Sequence, residues 1–247
     1  INDKHQFTLR YNYIDAFDDN LSRSANFFRF GNNAYKFTNK QSSLVAELRS
    51  NFNSSFSNNL ILGYSSIKDS RDTAGSPFPQ ITILNIGGVS GASAEFGSQR
   101  SSFANELDQT IFEVTDNFKW NIGKNTFTLG THNEFFSFRN LFINNLNGRW
   151  DFNSVADYLN NVPARVRATY SLIPGESRPE AKFSAAQLGF YAQGESEVFK
   201  NFRLTYGIRL DVPIIGDKPL RNPKIEASFP GYRTDNTPSG QLLWAPR

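Results

Sequence analysis

The chain has 247 residues, of which 38% are hydrophobic and 15% aromatic, and its 26 basic and 23 acidic residues give a formal net charge of +3. It contains no cysteine, which excludes a disulfide framework, a thiolate metal site and a cysteine nucleophile. Basic and acidic residues are interspersed, so we expect no nucleic-acid-binding surface. No apolar run approaches the roughly 18 residues of a membrane helix, and any membrane crossing must therefore use strands.

Segments of alternating polarity recur along the chain. In the first, Phe7, Leu9 and Tyr11 lie on one face while Thr8 and Arg10 lie on the other. This period of two predicts β-strands with one apolar and one polar face. Seven full strands and the start of an eighth near Ser239 are predicted: residues 4–15, 41–53, a third strand around 60–64, 104–120, 125–142, 182–199 and 202–212.

The fifth predicted strand, residues 125–142, departs from this alternation. Phe127 and Leu129 face one way, but Thr131 and Asn133 follow them on the same face. The pattern therefore requires either a β-bulge or an extension of the strand beyond the lipid.

Short and long connections alternate between the strands. The short ones are residues 54–58, 121–125 and 200–201, and the long ones are 16–39, 69–103, 144–181 and 216–238. Short turns at one rim and long loops at the other are typical of an outer-membrane β-barrel. Aromatic residues near the short turns predict the periplasmic aromatic girdle: Phe52, Phe56, Trp120, Phe127, Phe199 and Phe202.

We therefore predict an all-β protein, an antiparallel transmembrane β-barrel with long extracellular loops, in the outer membrane of a Gram-negative cell. The whole chain, residues 1–247, is expected to form part of one barrel domain. Because the sequence opens with Ile1 and has no methionine and no signal peptide, we expect a piece of a longer secreted polypeptide. One loop contains a helix candidate at residues 151–161, with Asp151 as its cap and Pro163 ending it.

Three stretches resemble a known family. "LGFYAQGESEVFKNFRLTYGIRLDVP" (188–213), "NGRWDFNSVADYLNNVPA" (147–164) and the closing "SGQLLWAPR", with its Pro246 and Arg247, are similar to TonB-dependent outer-membrane receptors of Bacteroidota, in the Oar-like branch with a carboxypeptidase-regulatory-like domain. The Tyr206-Gly207-x-Arg209-x-Asp211 element carries most of this resemblance. Gly194 and Ser196 depart from the family's usual Asp and Trp.

The resemblance implies a 22-stranded barrel plugged by a globular domain, of which this chain would supply about eight strands. Neither the plug nor the segment that binds TonB is recognisable in this sequence. The implied partners are outer-membrane lipid, a plug domain of the same polypeptide, the TonB complex and a surface lipoprotein. The implied function is to bind and import a large extracellular nutrient. No cofactor and no enzymatic activity are expected.

Two sets of candidate site residues follow from the predicted faces and loops. Charges on the polar strand faces would line the lumen: Arg10, Glu47, Arg49, Glu113, Glu195, Arg203, Arg209 and Asp211. As a set they predict a hydrated pathway or a polar seat for the plug, whereas for individual residues we favour cross-strand ion pairs that stabilise the wall. Arg209 and Asp211 are the best candidates for a wall–plug network. Exposed loop aromatics would bind sugars or peptides, or else pack locally: Phe27, Phe28, Tyr35, Trp150 and Tyr232.

Two other kinds of site, a metal site and a phosphate-binding loop, are less well supported by the sequence. His132 and Glu134 share a strand face, but a polar pair lining the lumen is favoured over a metal site. The run Gly87-Gly88-Val89-Ser90-Gly91 lacks the Lys-Ser/Thr pair of a phosphate loop and is interpreted as a flexible loop.

Two alternatives to the receptor remain open at this point. The first is a complete eight-stranded outer-membrane barrel with a structural or adhesive role. The second is a secreted, carbohydrate-binding β-sandwich, in which the apolar rows of two sheets would meet each other.

Overall fold

The computed structural model describes residues 2–246, so the predicted continuation of the last strand at Arg247 and the first residue, Ile1, lie outside the described part. Thirteen strands follow along the chain: β1 (His5–Asn20), β2 (Phe27–Arg29), β3 (Tyr35–Asn51), β4 (Phe56–Thr73), β5 (Gln80–Leu84), β6 (Ser93–Phe96), β7 (Asn105–Ile122), β8 (Asn125–Phe142), β9 (Arg149–Phe152), β10 (Arg165–Arg167), β11 (Ala181–Phe199), β12 (Phe202–Ile215) and β13 (Leu243–Pro246). Two short helices are α1 (Val155–Leu159) and α2 (Pro223–Ser228). No helix among these residues is long and apolar enough to cross a membrane.

Eight strands form one antiparallel sheet, which we call the wall, in the order β1-β3-β4-β7-β8-β11-β12-β13. Apart from β13, these strands have 14 to 19 residues, which exceeds the roughly 9–11 needed to cross the hydrocarbon. β1 and β13 form the two edges of the wall within residues 2–246. The described strands are therefore an open section of barrel, and the prediction of a closed eight-stranded barrel finds no support.

The apolar rows of the wall are exposed in this single sheet. Leu9 pairs with Ala46 and Ala46 with Leu62, and the side chains of Leu9 and Leu62 are exposed. We call this the outer face of the wall. Such rows cannot lie in water without association, but they match an acyl-chain environment. No second sheet covers them among the described residues, so the prediction of a β-sandwich is wrong.

The ends of the wall strands nearest the long loops extend further than the sequence predicts. β1 continues to Asn20 and β3 begins at Tyr35, where a loop over 16–39 was expected. The alternation of polarity fades in these ends because both faces are polar outside the bilayer. Cross-strand pairing continues without interruption from His5↔Ser50 to Asn20↔Tyr35.

β8 shows why its polarity pattern is irregular. It pairs with β7 and β11 in continuous register, so the predicted bulge is absent. Thr131 and Asn133 lie on the outer face between Leu129 and Phe135, and the predicted extension beyond the lipid therefore does not explain them either. Instead, Asn133 donates to Thr131 Oγ1 (2.7 Å) and Thr131 donates to the Gly189 carbonyl (2.9 Å). These side chains satisfy their hydrogen bonds locally.

The long loops fold into a second sheet, which we call the loop cap. It has five strands in the order β10-β9-β5-β6-β2 and draws them from three different loops. The pairs β2–β6 and β5–β9 are parallel. Its core contains Ile81, Ile83 and Phe152, with Phe96 and Tyr158 packed against them. The loops are therefore ordered by a hydrophobic core of their own, which no periodic pattern in the sequence predicts.

α1 confirms the predicted helix in a shorter form. It begins after Ser154, whose Oγ accepts a hydrogen bond from the Asp157 amide (3.1 Å). Ser154 is therefore the N-cap, and the prediction of Asp151 as the cap is wrong. Asp151 belongs instead to β9. The glycine-rich run predicted as a flexible loop contains a short 3-10 turn at Ile86–Gly88.

The assignment of the two faces of the wall predicts unequal effects of charge at adjacent residues. Leu62→Arg places a guanidinium among acyl chains and should lower the free energy of unfolding by about 2–4 kcal/mol. The neighbouring Ile61→Arg points to the inner face and should cost much less. Denaturant titration of the parent protein in lipid measures both values. Equal costs at the two positions would contradict the assignment.

Candidate functional site

The inner face of the wall carries the predicted lumen charges in separate clusters. On β1 and β3, the carboxylate of Glu47 is buried, at 4% exposure, and lies between two arginines. Arg49 Nε donates to Glu47 Oε1 at 2.8 Å, and Arg10 Nη2 is 3.5 Å from Glu47 Oε2. The three residues predicted from this part of the sequence are therefore in contact. One buried carboxylate joins two cations that are half exposed to the interior.

A second cluster crosses β7 and β8. Thr115 donates its one hydroxyl proton to Glu113 Oε1 (2.9 Å), and its oxygen is 2.7 Å from His132 Nδ1. Because that proton is used, Nδ1 must carry a hydrogen and donate to Thr115. On the other side of the ring, His132 Nε2 is 3.9 Å from Glu134 Oε2. Within residues 2–246, no group of three or more His, Cys, Asp or Glu side chains is arranged so that it could hold a metal ion.

The third cluster lies on β11 and β12 and contains the Arg209–Asp211 pair. Arg209 Nε and Nη2 donate to the Asp211 carboxylate at 2.7–3.0 Å, so the pair is bidentate along one strand. The Arg209 guanidinium also lies 5.7 Å from the centre of the Tyr191 ring. Gln187 approaches Asp211 at 3.4 Å. Both charges of the pair are thus neutralised within the wall itself.

Two glycines allow these side chains to lie flat on the inner face. A Cβ atom at Gly130 would be 2.3 Å from the Tyr191 ring, and one at Gly189 would be 2.5 Å from Arg209 Nη2. Because Gly130 lacks a side chain, the Tyr191 ring can lie over it and the Tyr191 hydroxyl donates to Asn117 Oδ1 at 2.5 Å. The inner face is therefore polar and nearly flat around these residues. Neither glycine was recognised from the sequence as part of the site.

The remaining predicted lumen residues lie on the same face with fewer contacts. Glu195 accepts a hydrogen bond from Gln193 Nε2 at 3.2 Å. Arg203 is exposed and pairs in register with Glu197 near the short turn. They extend the polar inner face toward the rim with the short turns.

The loop cap has one polar and one apolar face. On the polar face, Arg29 donates to Glu95 (3.1 Å) and Arg149 donates to Asp151 (2.6 Å), and all four side chains are largely buried. On the apolar face, five rings form a continuous chain with centroid separations of 5.1–5.9 Å: Phe28, Phe30, Phe96, Tyr158 and Phe152. Phe28 and Phe30 remain about half exposed at the end of this chain.

The predicted loop aromatics are placed differently from one another. Phe28 and Trp150 lie on the apolar face of the loop cap, whereas Phe27 lies on its other face with the Arg29 guanidinium 5.0 Å from its ring centre. Tyr35 is the first residue of wall strand β3, with the Arg71 guanidinium 5.0 Å from its ring centre, so its prediction as a loop residue is wrong. Tyr232 is exposed in the last long loop after α2.

An ion-pair network, which we call the latch, joins the third long loop to the wall. Arg139 on β8 contacts Asp108 (3.1 Å), Glu106 (2.9 Å) and Glu180, the residue before β11. Arg178 also contacts Glu106 at 3.2 Å. The network borders a cavity of about 560 Å³ that is lined mainly by charged side chains. It was not predicted because its members are far apart in sequence.

Comparisons with known proteins agree with this geometry. A single-layer wall with an apolar outer face, a polar inner face and loops on one rim defines an outer-membrane β-barrel protein. The chain matches the family described as outer membrane beta barrel domain over residues 1–229, and it belongs to that family. The protein is therefore located in the outer membrane.

A solved structure gives the same fold. The chain is similar to the outer membrane transporter YddB from Escherichia coli, with a TM-score of 0.53 and 12% sequence identity. The similarity covers 86% of this chain but only 26% of that transporter. A search of curated proteins gave no match.

The close approach of the Tyr191 ring to Gly130 predicts that substitutions at these two residues are energetically coupled. Gly130→Ala should push the Tyr191 ring into the interior and break its hydrogen bond to Asn117, which costs about 1 kcal/mol of unfolding free energy. Tyr191→Phe should cost about the same in the wild type and almost nothing in the Gly130→Ala background. Gly31→Ala is the control, because a Cβ at that position has open space. Additive costs for the two changes would contradict the prediction.

The latch predicts a response of the loop to pH. Hydrogen bonds from Arg139 and then Lys182 lower the pKa of Glu180 from its ordinary value of 4.5 to about 2. The contribution of the ionised Glu180 carboxylate to the stability of the latch is therefore fully present above pH 4.5 and is lost as the pH falls toward 2. A spin label at Ser171 should become more mobile over that range. In Glu180→Gln it should be mobile already at pH 7, whereas Glu197→Gln should behave as wild type. An immobile label in Glu180→Gln would contradict this role.

Proposed function

We propose that this chain is a section of the barrel of a TonB-dependent outer-membrane receptor that binds and imports a large extracellular nutrient. The observation that carries the proposal is the flat, polar inner face, whose charged side chains are largely engaged with one another within the wall. Such a surface does not fill the barrel interior with its own side chains. It leaves room for a separate polar domain, and its residual donors and acceptors suit contact with that domain or with water.

The wall and loop cap support the same proposal at the level of architecture. Long strands that rise beyond the apolar rows are expected for a large barrel, and similarity in fold to an outer membrane transporter is consistent with transport. The Tyr206-Gly207-x-Arg209-x-Asp211 element, on which the resemblance to the TonB-dependent receptors of the Oar-like branch depends, supplies both members of the bidentate pair on the inner face. The loop cap would be the extracellular surface that first meets the nutrient.

The proposed partners follow from these surfaces. A plug domain of the same polypeptide would contact Arg209, Tyr191 and the Glu47 cluster, and the TonB complex would act on that plug from the periplasmic side. A surface lipoprotein would contact the loop cap. We assign no cofactor and no catalytic step to this chain.

A photo-crosslinking experiment on the full-length parent protein tests the proposal. A photoreactive amino acid at Arg203, on the inner face, should crosslink to a plug segment of the same polypeptide. The same group at Leu204, the next residue, should crosslink only to lipid. In cells, deletion of this gene and deletion of the TonB gene should leave the same compounds unconsumed in the medium. Uptake that persists without TonB, or an inner-face label that reaches no plug segment, would overturn the proposal.

A further inference from the structure

The outer face changes character abruptly beyond its uppermost apolar row. That row contains Leu44, Tyr64 and Phe112 in register. The next row toward the long loops has a hydroxyl group on every strand from β1 to β11: Tyr13, Ser42, Ser66, Thr110, Ser137 and Ser184. The row after that is charged throughout: Asp15, Lys40, Lys68, Asp108, Arg139 and Lys182. This order matches the transition from acyl chains to lipid headgroups.

Within the charged row, two lysines stand directly opposite each other. Lys40 pairs with Lys68 across β3 and β4, an arrangement of like charges that destabilises a sheet unless an anion neutralises it. Asp108, the other neighbour of Lys68, is engaged by Arg139 at 3.1 Å. Among residues 2–246, no carboxylate lies within 4.0 Å of the Lys68 ammonium, and Lys40 reaches only Asp15 at 3.8 Å. The pair therefore carries unneutralised positive charge.

Hydroxyl donors lie beside this charge. Ser42 and Ser66 also face each other, two residues along the same strands. Two ammonium groups and two hydroxyl groups are thus presented together on the outer face, and ammonium groups bind phosphate as point charges. The next pair along the strands, Leu44 and Tyr64, is exposed and apolar.

We propose that Lys40, Lys68, Ser42 and Ser66 bind the phosphate of an anionic lipid of the outer leaflet. The position of the site selects a lipid over a free phosphate ion. A phosphate held by the lysines would place its attached acyl chains directly on Leu44 and Tyr64. The bound lipid would relieve the repulsion between the two lysines and fix this part of the wall at the membrane surface. The site is independent of the proposed transport function.

The test uses the full-length parent protein in detergent and native mass spectrometry with three probes. These are lipid A with its phosphates, dephosphorylated lipid A with the same acyl chains, and inorganic phosphate. The wild type should retain phosphorylated lipid A in preference to the dephosphorylated form. Lys40→Gln/Lys68→Gln should bind it about 10- to 30-fold more weakly, given the contribution of each lysine near an anionic lipid surface. Each single variant should show an intermediate loss.

The matched control is Lys200→Gln/Lys218→Gln, which removes the same charge from a short turn and from a long loop. It should bind phosphorylated lipid A as the wild type does. Equal binding of the two lipid A forms, or unchanged affinity in the Lys40/Lys68 variants, would overturn the proposal. If inorganic phosphate displaced lipid A at an equal concentration, the lipid site would be ruled out and the residues would instead form a site for free anions. Circular dichroism of each variant establishes that the fold is retained.

Discussion

Everything in this structure depends on the pairing of backbone amide and carbonyl groups between long antiparallel strands. In hydrocarbon an unpaired backbone group costs several kcal/mol, so the strands that cross the bilayer must pair without interruption. Uninterrupted pairing fixes which residues share a face, because side chains alternate strictly along a strand. Within the described residues, the only register shift in the wall pairs occurs at Glu197/Phe199, beside a short turn. The separation of an outer and an inner face follows directly from this constraint.

The two faces of the wall meet different environments. On the outer face, successive rows change from aromatic and aliphatic residues to hydroxyl groups and then to charges, as the lipid changes from acyl chains to headgroups. The inner face has to keep its charges satisfied without filling the interior, and Gly130 and Gly189 make this possible by letting Tyr191 and Arg209 lie against the backbone. Beyond the bilayer the constraint is relaxed, and the loops build their own sheet and core around Ile81 and Ile83.

The parts of the fold that could be predicted from the sequence are those governed by a period of two. The alternation from Phe202 to Val212 correctly predicts both faces of β12, and the Arg209–Asp211 pair follows from it. The same period of two on β1 and β3 places Arg10 and Glu47 on one face. The loop cap could not be predicted, because its strands have three to five residues and pair between separate loops. The latch and the polar pair Thr131–Asn133 depend on contacts across strands, which no local pattern records.

The most direct test of this account is the accessibility of side chains along β12 in a lipid bilayer. The chain has no cysteine, so single cysteines from Phe202 to Ile214 can carry a nitroxide in the parent protein, with any cysteines elsewhere replaced. We predict that oxygen relaxes labels at Leu204, Tyr206 and Ile208, and that a water-soluble nickel complex relaxes those at Arg203, Thr205 and Arg209. Accessibility without this period of two, or with the two faces exchanged, would contradict the account.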